Sequence, residues 1–168
     1  MLITAGAEPF RAEADFVQVR EPNFEARALA RLVRAWLAVS TAKVLVNDRA
    51  DVAIACGAAG VHLRDRSISP ARIRQIAPPD FVITVACHDG ESVLRAASEG
   101  ANYVVLAPIF APLSKPSAAP PLGLDALRSI TAKAGIPVIA LGGITAENAP
   151  RCIEAGAAGV AGITMFRP

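Results

Sequence analysis

Val138-Ile139-Ala140-Leu141-Gly142-Gly143-Ile144 is an apolar run that drives straight into paired glycines, and Gly159-Val160-Ala161-Gly162-Ile163-Thr164 repeats the shape one unit later. Each reads as a buried parallel strand ending in a turn, and the residues between them predict a short helix. Two such units at the end of a chain match the last two of a (β/α)8 barrel, whose loops after strands seven and eight often form a phosphate site. Glycine suits those loops because backbone N–H groups close on an anion only where no Cβ intervenes. Gly142, Gly143, Ile163 and Thr164 are therefore candidates for holding a phosphate group.

Working outward, one joint recurs three times: Gly57-Ala58-Ala59-Gly60-Val61, Gly100-Ala101-Asn102-Tyr103-Val104 and Gly156-Ala157-Ala158-Gly159-Val160. Each places glycine where a helix must end in a left-handed residue, then feeds an apolar strand. Repeated βα units imply a parallel sheet. Strands are expected to begin near Phe16, Lys43, Gly60, Val82, Tyr103, Pro137 and Gly159. An eighth has to be Leu2-Ile3-Thr4, which leaves only positions 5–15 for its helix. A complete barrel usually takes about 200 residues or more. The expected fold is thus a TIM-type (β/α)8 barrel with an abridged or missing first β/α unit, a single domain over residues 1–168. Its first strand edge stays open unless the N-terminal segment or a partner chain covers it. After the Phe16 strand, Asn23 is expected to cap a helix that buries a stripe of Leu29, Leu32, Val33, Trp36 and Leu37 and exposes Arg27, Arg31 and Arg34.

Composition narrows the class. Hydrophobic residues make up 53% and charged ones 19%, as a buried parallel sheet wrapped by helices requires. A net charge of +2 without a basic block gives no ground for nucleic acid. No apolar run is long enough to span a bilayer, and the opening residues lack the charged and apolar regions of a signal peptide. Cys56, Cys87 and Cys152 are widely spaced without a CxxC pattern, as expected of reduced thiols in a cytoplasmic protein.

Chemistry in such a barrel sits at the C-terminal ends of the strands. Reading those ends yields Gln18, Arg20, Asn47, Asp48, His62, His88 and, on a proline-stiffened loop, Lys115. Asn47-Asp48-Arg49 either caps the following helix or offers Asp48 to a metal or a base. His62, among apolar neighbours, reads as a hydrogen-bonded structural histidine. His88 continues the side of a period-2 strand that carries Thr84 and Ala86, so it points to the mouth, where an imidazole can move a proton either way. Cys87 faces the opposite side and packs. Lys115 offers an ammonium to an anionic group.

In order along the chain, Val17-Gln18-Val19-Arg20-Glu21, Val46-Asn47-Asp48-Arg49-Ala50-Asp51, Gly60-Val61-His62-Leu63, Pro108-Ile109-Phe110, Pro121-Leu122-Gly123-Leu124 and Ala140-Leu141-Gly142-Gly143-Ile144-Thr145 resemble the thiamine phosphate synthase / thiazole tautomerase (TenI-like) superfamily. The resemblance implies a thiamine-biosynthesis enzyme that binds a small phosphorylated thiazole, often as a homodimer. In the synthase branch a pyrimidine pyrophosphate is joined to thiazole phosphate with Mg2+, and the likeness assigns Gln18, Asn47, Asp48 and Lys115 to the pyrimidine or pyrophosphate, with Asp48 a metal ligand. Five positions depart from that pattern: Pro22 stands for a lysine, Ser67 for a second metal carboxylate, Ala86 for a serine, and Pro112 and Ser114 for the two threonines of the lysine loop. In the tautomerase branch a metal-free proton shift aromatises a thiazole carboxylate phosphate. There His88 matches the general base, Gly143 and Thr164 the phosphate site, and Lys115 or Arg20 the carboxylate. The departures place the tautomerase first, the synthase as its alternative, and a non-catalytic binder of thiamine precursors third.

Overall fold

The computed structural model describes residues 1–4, 6, 8–111 and 120–166. Eight parallel strands follow one another in chain order: β1 (Leu2–Ile3), β2 (Phe16–Val19), β3 (Lys43–Asn47), β4 (Gly60–Leu63), β5 (Val82–Cys87), β6 (Tyr103–Leu106), β7 (Val138–Ala140) and β8 (Gly159–Val160). The sheet curls until its two ends meet. Ile3 N donates to Gly162 O at 2.9 Å and Gly162 N to Met1 O at 3.1 Å, so β1 pairs with the chain just beyond β8. The edge left open by the sequence reading is closed by the N-terminal segment itself.

The first unit is abridged, as expected: the described residues between β1 and β2 form no helix. An irregular segment covers the sheet there instead. Ala12 is buried in it, and Phe10 meets Trp36 edge-on with ring centroids 5.4 Å apart. Thr4 ties the end of β1 to the end of β2, its Oγ1 accepting from Arg20 N at 2.9 Å.

Six helices follow the later strands: α1 (Ala26–Val39), α2 (Ala50–Cys56), α3 (Pro70–Arg74), α4 (Gly90–Ser98), α5 (Gly123–Thr131) and α6 (Ala149–Glu154). Helix α1 buries Leu29, Val33 and Trp36 while Arg27, Arg31 and Arg34 are exposed. Its N-cap is Glu25, not Asn23, and no side chain caps it. Burial of the apolar stripe sets the start of this helix, and the polar signal at Asn23 is not used. Gly57, Gly100 and Gly156 all have positive φ at the helix-to-strand joints.

Strand alternation sorts the core in two. Val17, Val19, Val44, Val46, Val61, Ile83, Cys87 and Val104 face the helices. Ile3, Phe16, Leu45, Val82, Val105 and Ile139 fill the barrel, whose lower half is apolar. Gly60 lies in this interior, and any Cβ there would sit 2.0 Å from Val82 O. Toward the strand C-termini the filling turns polar, with Gln18, His62 and Thr84 all buried. A cavity of ≈ 800 Å³ lies at the opposite end, among Phe16, Lys43, Tyr103 and Gly159 at the strand starts, away from Gln18, Asn47, Asp48 and His88. No helix among the described residues is long and apolar enough to cross a membrane.

Candidate active site

The mouth rests on a polar layer inside the barrel. Gln18, from β2, donates through Nε2 to Asn47 Oδ1 of β3 at 2.9 Å, and its own Oε1 is buried without a partner. A buried acceptor left unpaired costs about 1–3 kcal/mol, which a ligand N–H can recover. Next around the barrel, His62 Nδ1 and Thr84 Oγ1 are 2.8 Å apart. Burial, with the Arg20 charge adding to it against the pull of Asp48, lowers the His62 pKa to about 4. His62 is therefore neutral at physiological pH, the hydrogen-bonded structural histidine that its apolar neighbours suggested.

Above this layer the β2–β4 ends form a cleft of ≈ 230 Å³ lined by Arg20, Glu21, Pro22, Asn47, Asp48, Arg49 and Arg64, with Phe24 and Leu29 beside them. Asp48 turns out of β3 with φ +57° and donates its N–H to His62 O at 2.7 Å. Its carboxylate is fully engaged. Ser67 Oγ donates to Oδ1 at 2.6 Å and Arg64 N approaches the same oxygen at 3.5 Å. Arg64 Nε donates to Oδ2 at 2.6 Å, with Nη2 of the same guanidinium 2.5 Å from it. Burial pushes the Asp48 carboxyl up, but the Ser67 and Arg64 hydrogen bonds outweigh it and hold its pKa below the ordinary value. Neither Asp48 nor Asn47 caps α2, whose N-cap is Arg49 without a side-chain bond. Arg49 grips Asp51 through Nε at 2.9 Å and Nη2 at 2.6 Å.

Across the mouth the wall is backbone. Gly142 and Gly143 follow β7 with φ of +98° and +62°. Their lack of Cβ has a nearer cause than any ligand. A Cβ on Gly142 would lie 2.7 Å from Pro108 Cα, and one on Gly143 would lie 2.4 Å from Ala111 O. The segment after β6 presses on this turn, Ile109 N donating to Leu141 O and Phe110 N to Gly142 O, each at 2.9 Å. Asn148 pins the turn from its far side, donating Nδ2 to Gly143 O and accepting from Thr145 N, also at 2.9 Å. The sequence reading missed Asn148, although an Asn three residues after a Thr is a recognisable turn signal. Among the described residues no acceptor pairs with the N–H of Gly142, Gly143, Ile163 or Thr164.

Between the two walls stands His88, exposed, just beyond β5. Its Nδ1 is 2.7 Å from Ala107 O, so that nitrogen carries the hydrogen and Nε2 is left as the base. Capping fixes the position: Ser92 Oγ accepts from His88 N at 3.2 Å, while Asp89 and Ser92 form the capping box of α4. Cys87 is fully buried on the opposite face, its pKa raised to about 11 by burial, and is packing, as its parity indicated. Lys115 lies outside the described residues.

Polar residues after β2 to β5, a glycine turn after β7 and N–H groups after β8 all open on one end of the barrel. The thiamine monophosphate synthase family model matches residues 2–166. The chain belongs to that family. It is 44% identical over 154 residues to a thiamine-phosphate synthase of Methanoculleus marisnigri, covering 90% of this chain and 73% of that one. A thiamine-phosphate synthase of Methanoregula boonei is 40% identical, with 90% and 71% covered. Among solved structures, the thiamine phosphate pyrophosphorylase from Pyrococcus furiosus superposes with TM-score 0.73 at 32% identity, covering 90% of this chain and 73% of that one. FabK from Thermotoga maritima superposes with TM-score 0.71 at 16% identity over 89% and 50% of the two chains, a likeness of fold alone.

The family implies Mg2+, and the donors at Asp48 do not fit it. An ionised carboxylate offers about four lone-pair sites, and those of Asp48 are taken by Ser67 and Arg64. Position 67 is a hydroxyl, and Asp65 is paired with Arg95 at 3.1 Å. No cluster of three or more His, Cys, Asp or Glu side chains able to hold a metal occurs among the described residues.

Proposed function

We propose that this enzyme of thiamine biosynthesis joins a pyrimidine diphosphate to a thiazole phosphate. The observation that carries the reading is that the mouth has, among the described residues, unpaired backbone N–H groups on one side and an arginine-lined cleft on the other. The N–H groups of Gly142, Gly143, Ile163 and Thr164 offer one phosphate a seat made of backbone dipoles. The arginine-lined cleft at β2–β4 offers a second, more highly charged group its own place. A proton shift on one phosphorylated thiazole needs a single such seat; a coupling of two phosphorylated precursors needs both. The named relatives agree, and the order of preference drawn from Pro22, Ser67 and Ala86 is reversed: synthase before tautomerase.

In this reading Gln18 Oε1 accepts an N–H of the pyrimidine and Asn47 fixes the amide that does so. Arg20, Arg49 and Arg64 stabilise the negative charge that gathers on the departing diphosphate, an electrostatic contribution that is often the largest in catalysis. Lys115 is a further candidate for that charge. The apolar bodies of Phe24 and Leu29 shield the same cleft from water.

A specific observation keeps the tautomerase as second reading: Nδ1 of His88 is anchored on a backbone carbonyl, which leaves Nε2 as a positioned base at the mouth. The test is product formation from both precursors, followed chromatographically, for the wild type and His88→Ala. Coupled product, retained within about tenfold in His88→Ala, supports the synthase. No coupled product, with isomerisation of a thiazole carboxylate phosphate that falls about 10²–10⁴-fold in the variant, replaces it with the tautomerase.

A further inference from the structure

We propose that the β2–β4 wall binds diphosphate directly through arginine, with the Arg64 guanidinium standing on Asp48 where a magnesium ion would otherwise sit. This deepens the synthase reading and rests on it. Three observations converge. The Asp48 carboxylate has its lone pairs committed to Arg64 and Ser67, so an ion would have to displace a contact of 2.5–2.6 Å. Two neighbouring acids are ion-paired, Asp65 with Arg95 and Asp51 with Arg49, and Glu21 Oε1 accepts from Gly6 N at 2.8 Å. Arg64 itself remains 72% exposed along its side chain while two of its nitrogens contact Asp48. A guanidinium carries five N–H donors, so others remain for an anion in the cleft.

The chemistry of the exchange is coherent. Mg2+ would bridge a carboxylate to diphosphate oxygens and neutralise both. Arg64 forms the same bridge with a permanent charge: one edge on Asp48, the other on the ligand, in the planar fork that matches phosphate geometry. Arg20 and Arg49 line the same cleft, and among the described residues Arg20 makes no ion pair. Asp48 thus positions the arginine, and the arginine contacts the diphosphate.

Calorimetric titration with inorganic pyrophosphate, in EDTA and then in Mg2+, tests the inference without requiring turnover. The wild type is expected to bind in EDTA with an affinity that Mg2+ changes less than about threefold. Arg64→Gln should weaken that binding about tenfold or more, while its thermal midpoint falls by only a few degrees, about what losing one partly exposed ion pair costs, so that the variant stays folded at the titration temperature. The double variant Arg64→Gly/Ser67→Asp, which frees Asp48 and adds a carboxylate, should bind pyrophosphate only with Mg2+. Binding of the wild type only with Mg2+, binding in neither condition, or undiminished binding by Arg64→Gln in EDTA each overturns the proposal. Turnover measured in parallel separates it from the function itself. Coupled product formed only with Mg2+ overturns the arginine site and leaves the synthase standing. Pyrophosphate binding in EDTA without any coupled product leaves the arginine site and overturns the synthase.

Discussion

The two walls of the mouth are made of different material. At β7–β8 the groups proposed to meet the ligand are backbone N–H, and the shape of the turn is set by glycine conformation and by the segment that leans on it from β6. At β2–β4 they are long side chains held by ion pairs at the surface. A wall of backbone cannot be altered without altering the fold, whereas a wall of side chains can exchange its chemistry and leave the barrel intact. Two of the departures from the family pattern, Pro22 and Ser67, lie on the second kind.

The sharpest way to break this contrast is Gly143→Ala. The new methyl would meet Ala111 O at 2.4 Å and Phe110 Cβ at 2.8 Å on a residue with φ +62°. Overpacking and left-handed strain together should cost about 3 kcal/mol, read as a lower denaturation midpoint, with thiazole phosphate binding lost in calorimetry. A midpoint equal to wild type would mean that the turn is not fixed by its neighbours.

Next in size is an acid limb from the layer beneath both walls. The folded His62 pKa of about 4 lies below its ordinary 6.5. The unfolded chain therefore binds a proton first, and stability is full above pH 6.5 and falls as pH drops toward 4. The loss is on the order of 3 kcal/mol, and His62→Gln should flatten that limb in urea melts taken across the range. An unchanged limb would assign acid sensitivity elsewhere.

Asn148→Ala removes the two hydrogen bonds that hold Gly143 and Thr145. It should cost about 1–2 kcal/mol and weaken thiazole phosphate more than pyrophosphate, which a paired titration would show. The smallest effect belongs to the other wall. Arg49→Ala breaks an exposed pair with Asp51 and should change stability by less than about 1 kcal/mol. If it instead unfolds the protein, the wall of side chains is structural too.

Much of this was legible in the residues. The glycines at 57, 100 and 156 announced helix ends, and the parity of β5 put His88 at the mouth and Cys87 in the core. The register of β3 against β4, Asn47 beside His62, brings Asp48 and Arg64 together just past the strand ends, and only the fold shows it. Arg64 was missed because its meaning depends on that cross-strand pairing and not on any local pattern. The reason for Gly142 and Gly143 was likewise half visible: paired glycines mark a close approach, but only the fold shows that the approaching atoms include Pro108, Phe110 and Ala111 as well as any phosphate.

That last contact carries an evolutionary consequence. Because the β6 and β7 loops interlock through glycine, a side chain at Gly142 or Gly143 is viable only if the backbone at Pro108 or Ala111 moves with it, and single substitutions at these glycines are trapped. Arg64, Ser67 and Arg20 carry no such lien, since each can drift one codon at a time. New substrates would therefore enter this lineage through the arginine side, while the proposed phosphate seat at the glycine side would be inherited unchanged.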